Sequence, residues 1–247
     1  MIGANVFQLS VVVPAYNERE RLPKTMASLL SYLNSRGSDF EIIVVDDGSS
    51  DDTSGLIDSL KTSWPNVRLI ALPENRGKGY AVRQGIMAAA GKWILYCDAD
   101  GAAPIEEIQR LEAGFRNGIS VVIGSRALAS KETLVKTLWY RKALGRVFNK
   151  IANWLVVPGI EDTQCGFKMF EREAARDIFS RAKADRFSFD VEVLFLAKKL
   201  GYGIDEVAIN WTNVPGSKVD VVWDSLAMAR DLVWFRLLDL RGDYDKV

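Results

Sequence analysis

The 247-residue chain predicts a doubly wound α/β fold, a mostly parallel sheet with helices on both faces. Three observations carry this expectation. Short β-branched runs alternate with helix-spaced segments as far as Arg126. The runs are apolar at successive positions, as suits strands covered on both faces. Each run also closes on turn chemistry, either a proline or an Asp/Gly cluster.

The first strand is expected over residues 9–13 and closes at Pro14. Leu22, Met26, Leu29, Leu30 and Leu33 follow helical spacing, which predicts a helix over 18–35 with Pro23 tolerated in its first turn. A second strand over 41–45 runs into Asp46-Asp47-Gly48 and completes a βαβ unit. The pattern repeats with helices over 53–60, 79–90 and 104–115 and strands over 67–71, 92–97 and 120–124, the last ending in Ser125-Arg126. Ligands of such sheets sit outside the carboxyl ends of the strands. Tyr16-Asn17-Glu18, Asp46-Asp47-Gly48-Ser49, Asp98-Ala99-Asp100 and Ser125-Arg126 should therefore face one crevice.

After Arg126 the pattern changes. Residues 134–157 read as one long helix in which Leu144, Val147, Phe148, Ile151, Trp154 and Leu155 keep helical spacing, with Lys142, Arg146 and Lys150 on another face. A basic amphipathic helix flanked by Trp139, Tyr140 and Trp154 suits a membrane surface; a core-packing helix with a solvated basic face fits the same spacing. Residues 221–240 form a second apolar helix, interrupted by Asp224, Arg230, Asp231 and Arg236 and so unfit to span a bilayer. Lying in a membrane interface and closing over the first helix are both open to it. One domain over 1–247 is expected, with 1–126 as the nucleotide-binding, Rossmann-like half and 127–247 as the half bearing the amphipathic helices.

Composition removes whole classes of chemistry. Lys plus Arg and Asp plus Glu are 32 each, so no global field attracts nucleic acid. Histidine is absent, which excludes Ser-His and Cys-His nucleophile systems and imidazole zinc sites. The two cysteines, Cys97 and Cys165, are expected to be free thiols in a reducing compartment. No segment reads as membrane-spanning and residues 1–7 do not read as a signal peptide, so a cytoplasmic chain, soluble or peripheral, is expected.

Carboxylates, lysines and arginines must then do the chemistry. Asp98 and Asp100 follow the apolar run ending at Cys97 and offer hard oxygens suited to a divalent cation holding a diphosphate; paired aspartates at a strand end are also common as turn and cap residues. Four motifs decide between these. Val11-Val12-Val13-Pro14-Ala15-Tyr16-Asn17-Glu18, Ile43-Val44-Val45-Asp46-Asp47-Gly48-Ser49, Asn75-Arg76-Gly77-Lys78-Gly79 and Asp98-Ala99-Asp100 resemble, in order and strand placement, the signatures of inverting, family 2 nucleotide-sugar glycosyltransferases. Gly124-Ser125-Arg126, Asp162-Thr163-Gln164-Cys165-Gly166-Phe167-Lys168, Phe189-Asp190-Val191-Glu192, Asn210-Trp211-Thr212 and Gly216-Ser217-Lys218 narrow the resemblance to polyprenyl-phosphate sugar transferases of the dolichyl-phosphate glucosyltransferase branch. Gly101-Ala102-Ala103-Pro104 stands where mannosyl-transferring relatives carry a Gln and His-Pro pattern, which favours the glucosyl branch and leaves Asp100 without a neighbouring third ligand.

The resemblance implies a glycosyltransferase A-type fold, a UDP-sugar donor with UDP-glucose foremost, a polyprenyl phosphate acceptor, and Mg²⁺ or Mn²⁺ as cofactor. It implies that Pro14, Tyr16, Glu18 and Asp46 contact uracil and ribose, that Lys78 lies near the nucleotide, that Asp98 contacts ribose or metal-bound water, and that Asp100 is the metal ligand. Arg126 and Arg141 are candidates for the acceptor phosphate, Lys218 for the donor diphosphate, and Asp190 for sugar hydroxyls or a cation. The eukaryotic members carry an N-terminal membrane anchor that residues 1–7 do not resemble, so peripheral attachment to a cytoplasmic membrane face is expected, with 134–157 as docking helix. Other donors (GDP-mannose, UDP-N-acetylglucosamine), a saccharide acceptor, a sugar nucleotidyltransferase and a non-enzymatic nucleotide-binding adaptor are the rival readings. The nucleotidyltransferase would need a Gly-rich, basic phosphate loop after the first strand, where Pro14-Ala15-Tyr16-Asn17-Glu18 stands.

Overall fold

The computed structural model describes residues 7–128, 130, 132–136, 139–215 and 221–245. Its first half is β1 (Leu9–Ala15), α1 (Leu22–Ser35), β2 (Phe40–Asp46), α2 (Thr53–Ser63), β3 (Val67–Ala71), α3 (Lys78–Ala88), β4 (Trp93–Cys97), a 3-10 turn (Ile105–Glu107) leading into α4 (Ile108–Gly114), and β5 (Ile119–Ser125). There follow β6 (Val135–Lys136), α5 (Trp139–Leu155), β7 (Phe167–Glu171), α6 (Arg172–Arg181), α7 (Phe189–Lys199), β8 (Gly203–Ala208), β9 (Trp211–Thr212) and α8 (Val221–Leu240).

The main sheet has the order β3-β2-β1-β4-β7-β5-β8. All its pairings are parallel except those of β7, which is antiparallel to both β4 and β5. Consequently β1, β2, β4 and β5 end at one edge, where the four polar clusters were expected to meet. The strands are covered on both faces. Val11 and Val13 pack with Leu22, Met26 and Leu30 of α1, while Val12 packs with Val82 and Ile86 of α3, as the period of two requires.

Three expectations are corrected. Helix α1 begins at Leu22 rather than at residue 18, because Glu18 to Arg21 form a turn whose carbonyl at Glu18 accepts from the N–H groups of Arg21 (3.0 Å) and Leu22 (2.8 Å). The single helix over 134–157 is instead a short strand followed by α5. The Leu134 N–H donates to Asn210 Oδ1 at 2.8 Å and Val135–Lys136 pair with Trp211–Thr212, which draws this stretch into an extended ribbon. Finally, β7 was not anticipated. A fully buried lysine, Lys168, interrupts its apolar run and hides the strand signal.

The second apolar helix closes over the core with one side and leaves the other exposed. Met228, Leu232, Phe235 and Leu238 of α8 are buried in the core that includes α7, and the Arg236 guanidinium donates to the Leu155 carbonyl of α5 at 2.7 Å. Val233, Leu237 and Leu240 on its other side are exposed. Helix α5 likewise buries Phe148 and Ala152 while exposing Val147, Ile151 and Trp154, the last at 82%. Among the described residues no helix is long and apolar enough to cross a membrane.

Candidate active site

The loops after β1 and β2 lock together before any ligand is considered. Asn17 adopts a positive φ of 53°, and its Oδ1 accepts from the backbone N–H groups of Ser50 (2.8 Å) and Asp51 (3.3 Å). A short polar side chain makes that left-handed position tolerable. Asp46 accepts from the Ser49 N–H at 3.0 Å and from the hydroxyls of Ser49 and Ser54, so it shapes the turn beside the crevice. The Glu18 carboxylate is nearly buried and receives both arms of the Arg21 guanidinium, the Nε contact being 2.7 Å. Pro14 is buried in β1 beside Val45, and Tyr16 stands at the rim, 37% exposed.

Asp98 and Asp100 leave the end of β4 on a loop that the protein clamps from both sides. Thr25 Oγ1 of α1 donates to the Ala99 carbonyl at 2.7 Å, and the Asp98 N–H donates to the Gly166 carbonyl at 3.1 Å. A Cβ at position 166 would overlap the Asp98 carboxylate, which explains the glycine there. Asp98 Oδ1 accepts from the Tyr96 hydroxyl at 3.2 Å and lies 2.8 Å from Lys78 Nζ. Asp100 Oδ1 accepts from the Ala102 N–H at 3.0 Å. Burial and the neighbouring Asp98 raise the Asp100 carboxyl above its ordinary value, with Lys78 and Arg21 opposing. Burial pulls Lys78 down, but Asp98, Asp190 and Asp100 together raise it, so it stays an ammonium.

Lys78 opens α3 from a fixed base. Its predecessor Gly77 has φ of 109°, and a Cβ there would meet the Asp185 carbonyl. Both oxygens of Asp47 hold this turn, accepting from the N–H groups of Arg76 (2.9 Å) and Gly77 (2.8 Å). Asp190 at the start of α7 is paired with the fully buried Lys168, Nζ to Oδ1 2.5 Å, and Lys168 also donates to the Cys165 carbonyl. A buried ammonium needs such pairing. Burial raises the Asp190 carboxyl, opposed by Lys168 and Lys78. The Tyr96 ring has Lys78 Nζ 5.5 Å and Lys168 Nζ 5.8 Å from its centroid.

Arg126, after β5, is held by Asp162 in a two-pronged pair (Nε to Oδ2 2.7 Å, Nη2 to Oδ1 2.8 Å) and lies over the Trp211 ring at 5.4 Å. The pair keeps Arg126 charged and, despite burial, lowers the Asp162 carboxyl. Both cysteines are free and buried, with burial pushing the Cys165 thiol up to about 12. Of the remaining candidates, the backbone of Arg141 falls in the first turn of α5 with its side chain outside the described part, and Lys218 lies outside the described residues.

The structure thus brings Asp98, Asp100, Lys78 and Asp190 together, with Glu18 linked to them through Arg21, whose charge acts on both Asp98 and Asp100. Sequence reasoning missed Arg21, Asp47 and Lys168. Arg21 was detectable as a cation three residues after Glu18, a spacing at which helical side chains meet; Asp47 and Lys168 sat inside quoted motifs with nothing in the spacing to reveal their partners. Asp98 and Asp100 are hard oxygen donors on one clamped loop at the carboxyl end of β4, so they fit a divalent cation. Among the described residues no group of three or more Asp, Glu, Cys or His completes a shell, so other oxygens, of a ligand or water, would have to do so.

A seven-stranded, mostly parallel sheet with one reversed strand and an Asp-x-Asp loop at its carboxyl edge is a fold of the glycosyltransferase A type. Glycosyl transferase family 2 matches over residues 10–179, and the chain belongs to that family; it is a glycosyltransferase. It is 43% identical over 246 residues to a dolichyl-phosphate beta-glucosyltransferase of Dictyostelium discoideum, covering 95% of this chain and 75% of that protein. Against the Homo sapiens protein of the same description it is 44% identical over 248 residues, covering 95% and 76%. The fold also matches glucosyl-3-phosphoglycerate synthase from Mycobacterium tuberculosis, solved in complex with Mn²⁺, UDP-glucose and phosphoglyceric acid, with a TM-score of 0.67, 20% identity and coverage of 94% and 79%.

Proposed function

We propose that the protein transfers glucose from UDP-glucose, with inversion, to a polyprenyl phosphate of the dolichyl type at a membrane surface. The observation that carries this is the crevice array of Asp98, Asp100, Lys78 and Asp190, set in a chain more than two-fifths identical to proteins described as acting on dolichyl phosphate. Residues 1–126 hold the donor: Pro14, Tyr16, Glu18 and Asp46 line the nucleoside position, Tyr16 offering a ring to stack on and the carboxylates accepting from ribose or base donors. Lys78 serves the diphosphate, and Lys218, from its motif, is assigned to it as a second cation. Asp98 meets ribose or a water on the cation, and Asp100 holds Mg²⁺ or Mn²⁺, which when bound supplies positive charge to the departing diphosphate.

Residues 127–247, together with Arg126 at their boundary, supply the acceptor side. Arg126, oriented by Asp162, and Arg141 grip the acceptor phosphate, and Asp190 orients the sugar. The acceptor oxygen forms the new bond to the anomeric carbon as the bond to the UDP oxygen breaks, and the electron pair leaves with UDP. Because that phosphate oxygen is already anionic near neutrality, no proton has to be taken from it. A histidine-free site is sufficient for such a displacement, which needs alignment and cations more than a base.

A membrane surface is where such an acceptor resides. Val147, Ile151 and Trp154 of α5 and Val233, Leu237 and Leu240 of α8 are exposed on two helices that touch each other, and residues 139–155 contain four Lys/Arg and no acid. Exposed apolar side chains on helices of which one is rich in Lys/Arg by sequence fit an anionic lipid interface, on the cytoplasmic face. The test is to incubate the protein with Mn²⁺ and a panel of UDP- and GDP-sugars, with and without polyprenyl phosphate, and to analyse the lipid product. Glucosyl lipid from UDP-glucose is expected; transfer from GDP-mannose alone, or only to a saccharide, would overturn the proposal.

A further inference from the structure

A cation of the protein itself stands against Asp98. Lys78 Nζ lies 2.8 Å from Asp98 Oδ1, with its side chain only 22% exposed. Asp190 and Asp100 also act on its charge, while Asp190 has Lys168 as its own direct partner. The backbone beneath it is immobilised: Asp47 holds the N–H groups of Arg76 and Gly77, the Tyr80 N–H donates to the Asp185 carbonyl at 3.0 Å, and Gly79 packs too closely on Ala184 to admit a Cβ. Above that base are four methylenes with staggered rotamers, enough to carry the ammonium several ångströms without disturbing the fold.

We propose that Lys78 is the resident counter-ion of the Asp98-Ala99-Asp100 loop: its ammonium neutralises the carboxylates, opposes entry of a divalent cation alone, and transfers to the donor diphosphate when nucleotide and metal enter together. This rests on the metal-dependent reading of the site given above. The physical reason is competition. Two aspartates on one turn need positive charge beside them, and an ammonium on Asp98 strongly repels a divalent ion held by the neighbouring Asp100. A diphosphate relieves that conflict by giving the ammonium anionic oxygens of its own. Metal and nucleotide should therefore bind with positive coupling, and the coupling must be the same in whichever direction it is measured.

The test measures Mn²⁺ binding by the loss of the free-ion paramagnetic resonance signal, with and without UDP, in the unaltered protein and in Lys78→Met, Lys78→Arg and Lys92→Met. Lys92 lies exposed at the opposite, amino-terminal end of β4 and controls for net charge. Without UDP, Lys78→Met should bind Mn²⁺ about tenfold or more tightly than the unaltered protein, the size expected for removing one charge beside a carboxylate. Lys78→Arg and Lys92→Met should stay weak, and the strengthening of Mn²⁺ binding by UDP should shrink in Lys78→Met by a comparable factor. Equal Mn²⁺ affinity in Lys78→Met and the unaltered protein, with UDP strengthening both alike, would overturn the inference and leave the metal-dependent reading standing. An equal gain in Lys92→Met would also overturn it, as a net-charge effect. Absence of Mn²⁺ binding in every form with UDP present would remove that reading and the inference together.

Discussion

Charge pairing at single residues separates the groups that hold the fold from those that act in the crevice. Lys168 and Asp190 are both buried, and removing one partner leaves an uncompensated charge in a place water does not reach. Lys168→Met is therefore expected to lower stability by about 3–5 kcal/mol, measured as a shift in denaturant midpoint, with a further fall in turnover because Asp190 loses its anchor. Asp100→Asn should behave oppositely. Burial and Asp98 already disfavour its charge, so the neutral amide costs little stability, while turnover with Mn²⁺ should fall about a hundredfold or more. Unchanged turnover in Asp100→Asn would remove it from the metal site. The sequence exposed Asp98, Asp100 and Lys78 because each sits in a motif at a strand or helix end. It could not expose the Lys168–Asp190 pair, whose partners are 22 residues apart and meet only through the antiparallel placement of β7.

Among the elements, α5 and α8 are built with two apolar sides, and the structure assigns each side a different use. Phe148 and Ala152 of α5 and Leu232 and Phe235 of α8 face the core, whereas Trp154 and Leu240 are 82% and 83% exposed. Phe235→Ala should destabilise the protein by about 3–5 kcal/mol, since it empties a buried ring position. Trp154→Asp should leave thermal unfolding nearly unchanged and lower co-sedimentation with anionic vesicles by about tenfold, roughly what one large apolar side chain contributes. Equal vesicle binding by Trp154→Asp would return this surface to plain solvent exposure. The limits of α8 were legible, residues 221–240, because its apolar residues run nearly continuously. Those of α5 were not. Leu134 and Val135 fit the helical spacing, and only the distant Asn210 and Trp211 make that stretch extended.

Over the whole molecule, most of the carboxyls that the fold displaces from their ordinary titration move the same way. Burial raises Asp47, Asp100, Asp190, Glu192 and Glu206, while Asp162 is lowered by Arg126. A raised group keeps its proton in the folded chain after the unfolded chain has released it. Its contribution to stability is therefore complete below the ordinary carboxylate range and declines as pH rises through the raised value. Asp162 runs the other way, its contribution being lost as pH falls through the lowered value. Where the raised groups of the described residues dominate, stability should decline from the ordinary carboxylate range toward neutrality, read as the unfolding midpoint in a pH series. Mn²⁺ with UDP should reverse part of that decline, because a cation binds the ionised form of Asp100 and binds only the folded chain. At about 100 times the dissociation constant, stabilisation of about 2.7 kcal/mol is expected, greater at neutral than at acid pH. The same gain at both pH values would show that the carboxylates of the crevice do not titrate with binding. A gain from UDP that chelating the metal leaves intact would assign the stabilisation to the nucleotide contacts of the β1 and β2 loops alone.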